Sequence, residues 1–163
     1  MGKCGYKGQK VGILQPSYFR GQSLNRLDAK GRLRVPTKYR EVLQNHYSDA
    51  LIITIMDDCL VACPPETWEE IEAKVRDFSL IHPDQRAFMR RFISSAEECE
   101  FDDQGRILIP PVLRKKAYLE QEVMLAGMLK SFEIWNKELW ERHLAWTPER
   151  YQQVVENVAV TGL

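Results

Sequence analysis

One ten-residue stretch occurs twice in this chain, as LDAKGRLRVP at residues 27–36 and as FDDQGRILIP at residues 101–110. Asp28, Gly31, Arg32, Val35 and Pro36 of the first copy answer Asp102, Gly105, Arg106, Ile109 and Pro110 of the second, each displaced by 74 positions. Asp at the first and Gly at the fourth position is the signature of a type I turn, with glycine free to take the positive φ that follows. Apolar, β-compatible residues flank both turns, so each stretch predicts the tip of a hairpin with a glycine bulge. Arg32 and Arg106 then stand on the first residue leaving each tip, close to the Asp that opened it.

The duplication runs well past the tips. A strand leads from Phe19 through Leu24 and Leu27 into the first tip, and Arg32–Val35 return from it. Pro36 ends that strand and opens a helix from Thr37 to about Asn45, with Tyr39, Val42 and Leu43 on its apolar stripe. ALIITIM at residues 50–56 predicts a strand, Asp57-Asp58 a turn, and Cys59–Cys63 the strand that follows. Pro64-Pro65 starts a helix on which Trp68, Ile71, Val75 and Phe78 share a face. EVMLAGM at residues 122–128, Phe132–Trp135, and Glu138, Trp140 and Glu141 repeat this order at a displacement of 72.

Each copy thus predicts a β-β-α-β-β-α unit of about 50 residues, too small to bury a core alone. Two such units are expected to interlock into one α+β domain, a pseudo-symmetric β-barrel with the helices packed outside. Around them the expected order is a flexible leader over residues 1–18, the first repeat over 19–81 and a linker helix over 82–95. The second repeat follows over 96–146, then a C-terminal helix over 147–163, opened by Thr147 as N-cap and Pro148 at its first position.

Composition narrows the function. No apolar run approaches the roughly 18 residues of a membrane span, and the basic start MGKCGYKGQK lacks the apolar core of a signal peptide. Cys4, Cys59, Cys63 and Cys99 are scattered, which suits reduced thiols in a cytoplasm better than a disulfide framework. Cys59 and Cys63 have no partner pair at a zinc-binding spacing, so no metal or cofactor is expected. His46, His82 and His143 are isolated, with no activated nucleophile and no glycine-rich phosphate loop, so no enzyme is expected.

Formal net charge is zero, so an affinity for nucleic acid has to come from local clustering. Such clustering exists: from Arg20 to Arg40 there are seven bases and one acid. A DNA reading would have Lys30, Arg34 and Lys38 track phosphates while Arg32, leaving the tight bend at Gly31, forks onto guanine O6 and N7. Asp28 would orient that guanidinium through a charge-assisted bond. The alternative is that Asp28 pairs with Arg32 merely to hold the hairpin. From Glu97 to Glu122 there are seven acids and four bases, so the second tip (Asp102, Gly105, Arg106) should be repelled by phosphates. It is expected to keep its motif for turn structure or for pairing at a subunit boundary. Trp68 and Trp140 read as core or interface anchors.

FRGQSLNRLDAKGRLRVPTKYRE, FDDQGRILIPPVLRKKA and EVMLAGMLKSFEIWNKELW resemble the MraZ family, over roughly Phe19 to Leu144. The resemblance implies an AbrB-like swapped-hairpin barrel of two tandem repeats, assembled into closed homo-oligomeric rings. It implies a bacterial regulator of the division and cell-wall gene cluster that binds short repeats of double-stranded DNA upstream of its own operon, at the nucleoid. It also makes the loop from Asp28 to Arg32, and secondarily that from Asp102 to Arg106, the DNA-contacting element.

Overall fold

The computed structural model describes residues 17–162. Of the expected leader only Ser17 and Tyr18 fall within them; the rest lies outside the described residues.

The first half forms β1 (Gln22–Arg26), β2 (Arg32–Arg34), α1 (Thr37–His46), β3 (Ala50–Met56), β4 (Cys59–Cys63) and α2 (Pro65–Val75). The linker gives α3 (Pro83–Phe88), which runs into a π-helical turn at Met89–Ile93. The second half repeats the series as β5 (Glu97–Glu100), β6 (Arg106–Leu108), α4 (Pro111–Lys116), β7 (Glu122–Gly127), β8 (Phe132–Asn136) and α5 (Lys137–Leu144). A last helix, α6 (Pro148–Ala159), is capped by Thr147, whose hydroxyl accepts from the Arg150 amide at 3.3 Å.

The halves exchange their first strands. β1 pairs not within its own half but with β7, Leu24 opposite Met124, and its counterpart β5 pairs with β3, Leu51 opposite Cys99. β4 and β8 join the halves at the centre, Val61 opposite Glu133. All these pairings are antiparallel, giving the order β1-β7-β8-β4-β3-β5, which is symmetric once equivalent strands are interchanged. The expected closure into a barrel is not what forms. β2 and β6, which would have to close it, are three residues each and pair as strands with one another, Leu33 opposite Ile107, while Leu33 and Ile107 add single bridges to Leu27 and Phe101. They make a separate two-stranded ribbon and leave β1 and β5 as open edges. Glu97, Glu98 and Glu100 on β5 keep that edge charged, which discourages strand addition.

Both halves supply the core in equivalent pairs: Leu33 with Ile107, Val35 with Ile109, and Leu51 with Val123 are all buried. Phe19, Tyr39 and Phe132 meet at its centre with ring centroids 5.0–5.4 Å apart. The linker departs from a plain helix at the π turn, where the Ser94 amide reaches back five residues to the Met89 carbonyl at 2.9 Å. That turn seats Phe92 between Phe88 and Trp68, at 5.0 and 5.5 Å, and its carbonyl accepts from the buried Thr54 hydroxyl. Phe78 falls beyond the end of α2 and packs on Phe88 at 6.0 Å. The two equivalent tryptophans part company, Trp68 being buried and Trp140 half-buried against Trp135 at 5.9 Å. Among the described residues no helix is long and apolar enough to cross a membrane.

Leu33 and Ile107 are fully buried neighbours across the ribbon. Truncating either to Ala should cost about 2–5 kcal/mol, seen as a lower urea midpoint at unchanged slope. The double variant should cost less than the sum, because one cavity serves both. Additive losses would show that the two side chains do not share a packing site.

Candidate nucleic-acid interface

Both tips form the turn their sequence specifies, and they do so bond for bond. Gly31 donates to the Asp28 carbonyl at 2.9 Å and Gly105 to the Asp102 carbonyl at 3.0 Å. The Asp28 and Asp102 amides close each loop on the Arg32 and Arg106 carbonyls, at 3.0 and 2.8 Å. Gly31 and Gly105 take φ of +82° and +71°, the left-handed region that a side chain disfavours.

Each carboxylate divides its work between its two oxygens. Oδ1 of Asp28 accepts from the amides of Lys30 and Arg32, both at 2.9 Å, while Oδ2 accepts from Arg32 Nε at 2.6 Å. Asp102 does the same with Gln104 and Arg106 at 2.9 Å and with Arg106 Nε at 2.8 Å. The Arg32 amide first, then that residue's side chain and the Lys30 amide, hold the Asp28 carboxyl down to about 2 against partial desolvation. Asp102 is lowered for the same reasons, led by the Arg106 amide. Arg32 engages Asp28 through Nε and is about one-third exposed, and among the described residues its two Nη groups make no hydrogen bond.

The ribbon merges the tips into one surface. Arg106 Nη1 stands 3.9 Å from Asp28 Oδ2, so the first carboxylate faces a guanidinium from each repeat. Arg34 lies opposite Arg106 across the ribbon and donates from Nη1 to the Gln104 carbonyl of the second tip at 3.0 Å. Leu33 and Ile107 point inward, which leaves Arg32, Arg34 and Arg106 on the outer face with Leu108. A two-stranded ribbon with outward arginines has the width that a DNA major groove admits.

A family model described as "MraZ protein, putative antitoxin-like" matches residues 18–91 and again residues 92–153. The chain is 66% identical over 146 residues to the transcriptional regulator MraZ of Syntrophobacter fumaroxidans, covering 90% of this chain and 97% of that protein. It is 42% identical over 128 residues to the protein of that name from Shewanella denitrificans, covering 77% and 84% of the two chains. With that from Lactiplantibacillus plantarum it shares 39% over 140 residues, 86% and 97% of the two. The chain belongs to the MraZ family.

The structure brings Asp28, Lys30, Gly31, Arg32 and Arg34 together with Asp102, Gly105 and Arg106. Lys38 stands apart: its ammonium lies 5.3 Å from the centre of the Tyr39 ring, beside Gly21, at the end of β1 remote from the tip. Two residues of the site went unremarked in the sequence, Gln104, whose carbonyl holds Arg34, and Arg114, which covers Gly31. The 74-residue displacement carries Arg40 onto Arg114, as it carries Arg32 onto Arg106. Among the described residues no three His, Cys, Asp or Glu side chains gather as metal ligands. Burial pushes the Cys63 thiol up to about 12 and, with Glu97 and Glu98 nearby, the Cys99 thiol to about 11.

A depressed carboxyl adds stability above its unfolded value, here 3.8, and that contribution is lost as pH falls through the folded value of about 2. A ¹³C titration of the Asp28 carboxyl should therefore show a midpoint near 2, with the Asp28–Arg32 pair intact at neutral pH. In Asp28→Asn an oxygen still serves the two amides, but the side-chain NH₂ faces Arg32 Nε and repels it. Exchange of the Arg32 Nε proton should then accelerate with the fold unchanged; an unaltered rate would mean that the pair is not formed in solution.

Proposed function

We propose that this chain is a transcriptional regulator that binds duplex DNA through the β2–β6 ribbon and its two tips. Arg32 is the base reader. The observation that carries this is that the Asp28 carboxylate holds the Arg32 guanidinium by Nε alone at an exposed turn, fixing it before DNA arrives. Entropy that a free side chain would lose on binding is then already spent in folding. Lys30 and Arg34 flank it as phosphate contacts, and Lys38 meets the backbone further along β1. The relatives' printed name, transcriptional regulator, supports the same role.

The targets are short promoter repeats upstream of the protein's own operon, in the division and cell-wall gene cluster, and the site of action is the nucleoid in the cytoplasm. A neutral protomer with a single basic patch binds weakly and is sensitive to salt. A closed homo-oligomeric ring that repeats the patch would engage several DNA repeats at once and raise effective affinity by ~10²–10⁴. Tyr151, Val155 and Val158 on one face of α6 are exposed, as are Leu144 and Trp146 before it, and this apolar surface supports self-association. The same surface is what favours a second reading, a ring-forming interaction protein with only incidental DNA affinity.

A gel shift on the upstream region separates the two. Arg32→Ala should lower affinity for that duplex by about tenfold or more while the oligomer, sized by light scattering, stays the same. Arg106→Ala should have the smaller effect, since it lies in the acidic half. Normal binding and normal repression or activation by Arg32→Ala would leave the interaction-protein reading standing.

A further inference from the structure

Each tip glycine is covered by a guanidinium from the other repeat. A Cβ built on Gly31 would lie 2.3 Å from Arg114 Cζ and 2.5 Å from its Nε and Nη1. One built on Gly105 would lie 2.9 Å from Arg40 Nη1. Arg40 and Arg114 are equivalent in the duplication, on α1 and α4, and each reaches across to the opposite tip. Both guard the same kind of bond. Ile109 donates its amide to the Gly31 carbonyl at 3.1 Å, and Val35 donates to the Gly105 carbonyl at 3.3 Å.

The two guanidiniums are anchored differently. Arg114 donates from Nε to the Ile109 carbonyl at 3.0 Å, so it bridges the residue that bonds Gly31 and the face of Gly31 itself. Arg40 lies with Cζ 3.9 Å from the centre of the Phe101 ring and pairs with Asp49 at 3.4 Å. Its Nε is buried without a partner among the described residues. Arg114 is therefore bound to the tip backbone, whereas Arg40 is held chiefly by an aromatic face and an exposed acid.

We propose that Arg40 and Arg114 are crossed positioning residues, each fixing the DNA-contacting turn of the other repeat, and that Arg114 is the one that sets Arg32. The proposal rests on the DNA reading for its functional arm only; the structural arm stands without DNA. Its physical content is that Gly31 is pinned from outside by a planar group, which stops the turn from rotating. With the turn fixed, the Arg32 amide and Nε both reach Asp28. Glycine is required at the position twice over, once for its φ and once for the space that Arg114 occupies. A residue of the acidic half thereby controls the reader of the basic half.

The test uses the full-length chain, with Arg114→Ala, Arg114→Lys, Arg32→Ala and the double variant Arg32→Ala/Arg114→Ala. Without DNA, Arg114→Ala should raise the Asp28 titration midpoint from about 2 and leave that of Asp102 in place. Arg114→Lys keeps the stem and charge but cannot lie flat on Gly31, so it should move the midpoint too; it carries the test if the Ala variant melts early. An unmoved Asp28 midpoint overturns the proposal. With DNA, Arg114→Ala should weaken binding to the upstream duplex about tenfold and leave binding to a scrambled duplex unchanged. Combined with Arg32→Ala it should add nothing further, because it acts through that residue. Equal losses on both duplexes, rescued by Lys, with the salt slope reduced by about 0.9, would make Arg114 a phosphate contact and overturn the positioning role. If Arg32→Ala binds normally while the Asp28 midpoint moves, the DNA reading fails and the clamp stands.

Discussion

The structure depends on two backbone bonds that neither half can make alone. Gly31 accepts from Ile109 and Gly105 from Val35, and between them Leu33 and Ile107 meet face to face beneath the ribbon. Each tip is completed by the strand leaving the other. The sheet obeys the same rule, since β1 and β5 find their pairing partners only in the opposite half. Half the chain would expose its first strand on both edges and leave the tip glycine carbonyl without a donor, an unsatisfied polar group of the kind folded proteins avoid. Most of these pairings join residues far apart in sequence, so folding has to close long loops before they reward it. The duplicated domain is in that sense one cooperative unit.

On this symmetric scaffold the electrostatics are not symmetric. Positions that carry Ala29, Lys30 and Arg34 in the first tip carry Asp103, Gln104 and Leu108 in the second. The backbone geometry at the two is the same to within a few tenths of an ångström in every bond that defines the turn. Shape therefore comes from Asp, Gly and Arg, while charge is varied at the positions between them. The ribbon therefore carries a basic side and an acidic side within one protomer. The packing around the sheet diverges as well. In the first half the linker folds back and seats Phe92 on Trp68. In the second, Trp140 packs on Trp135, which also meets His143, and α6 leaves with apolar residues exposed.

Periodicity and turn chemistry made the element order legible. Ala50–Met56 carries a β-branched run and Cys59–Cys63 is short and apolar; bounded by Asp57 and Pro64, both strands form over the expected residues. Pro36, Pro65 and Pro148 mark helix starts because an N-terminal turn has no use for the amide that proline lacks. What the sequence could not carry was pairing between elements. A three-residue strand such as Arg32–Arg34 has no periodicity to say whether it closes a barrel or pairs with its own duplicate. The acidic count around Asp102 speaks only of how phosphates would meet the second tip, and it gives no sign that backbone pairing places Arg106 against Asp28. The π turn at Met89–Ile93 was equally hidden, because it answers to Thr54 on another element and not to anything within the helix. Arg40 and Arg114 read as surface charges until the fold shows what each lies on.

Asp28 makes both kinds of bond that the sequence alone sets against each other, those that shape a turn and one that orients an arginine. A carboxylate has two oxygens. Here Oδ1 is committed to the amides of Lys30 and Arg32, and Oδ2 to Arg32 Nε, with Arg106 approaching the same atom. Bending the backbone brings the Arg32 amide to Oδ1, and that same bend carries Nε to Oδ2. The shaping bond therefore makes the orienting bond geometrically available. Because the Arg32 amide is the first cause of the low Asp28 pKa, the charge that orients the guanidinium is itself maintained by the turn. Lys could supply a positive charge at position 32, but its three donors sit on one nitrogen, so holding Oδ2 leaves no separate planar fork. Arginine at position 32 is held at one nitrogen and, among the described residues, leaves two others without a hydrogen bond.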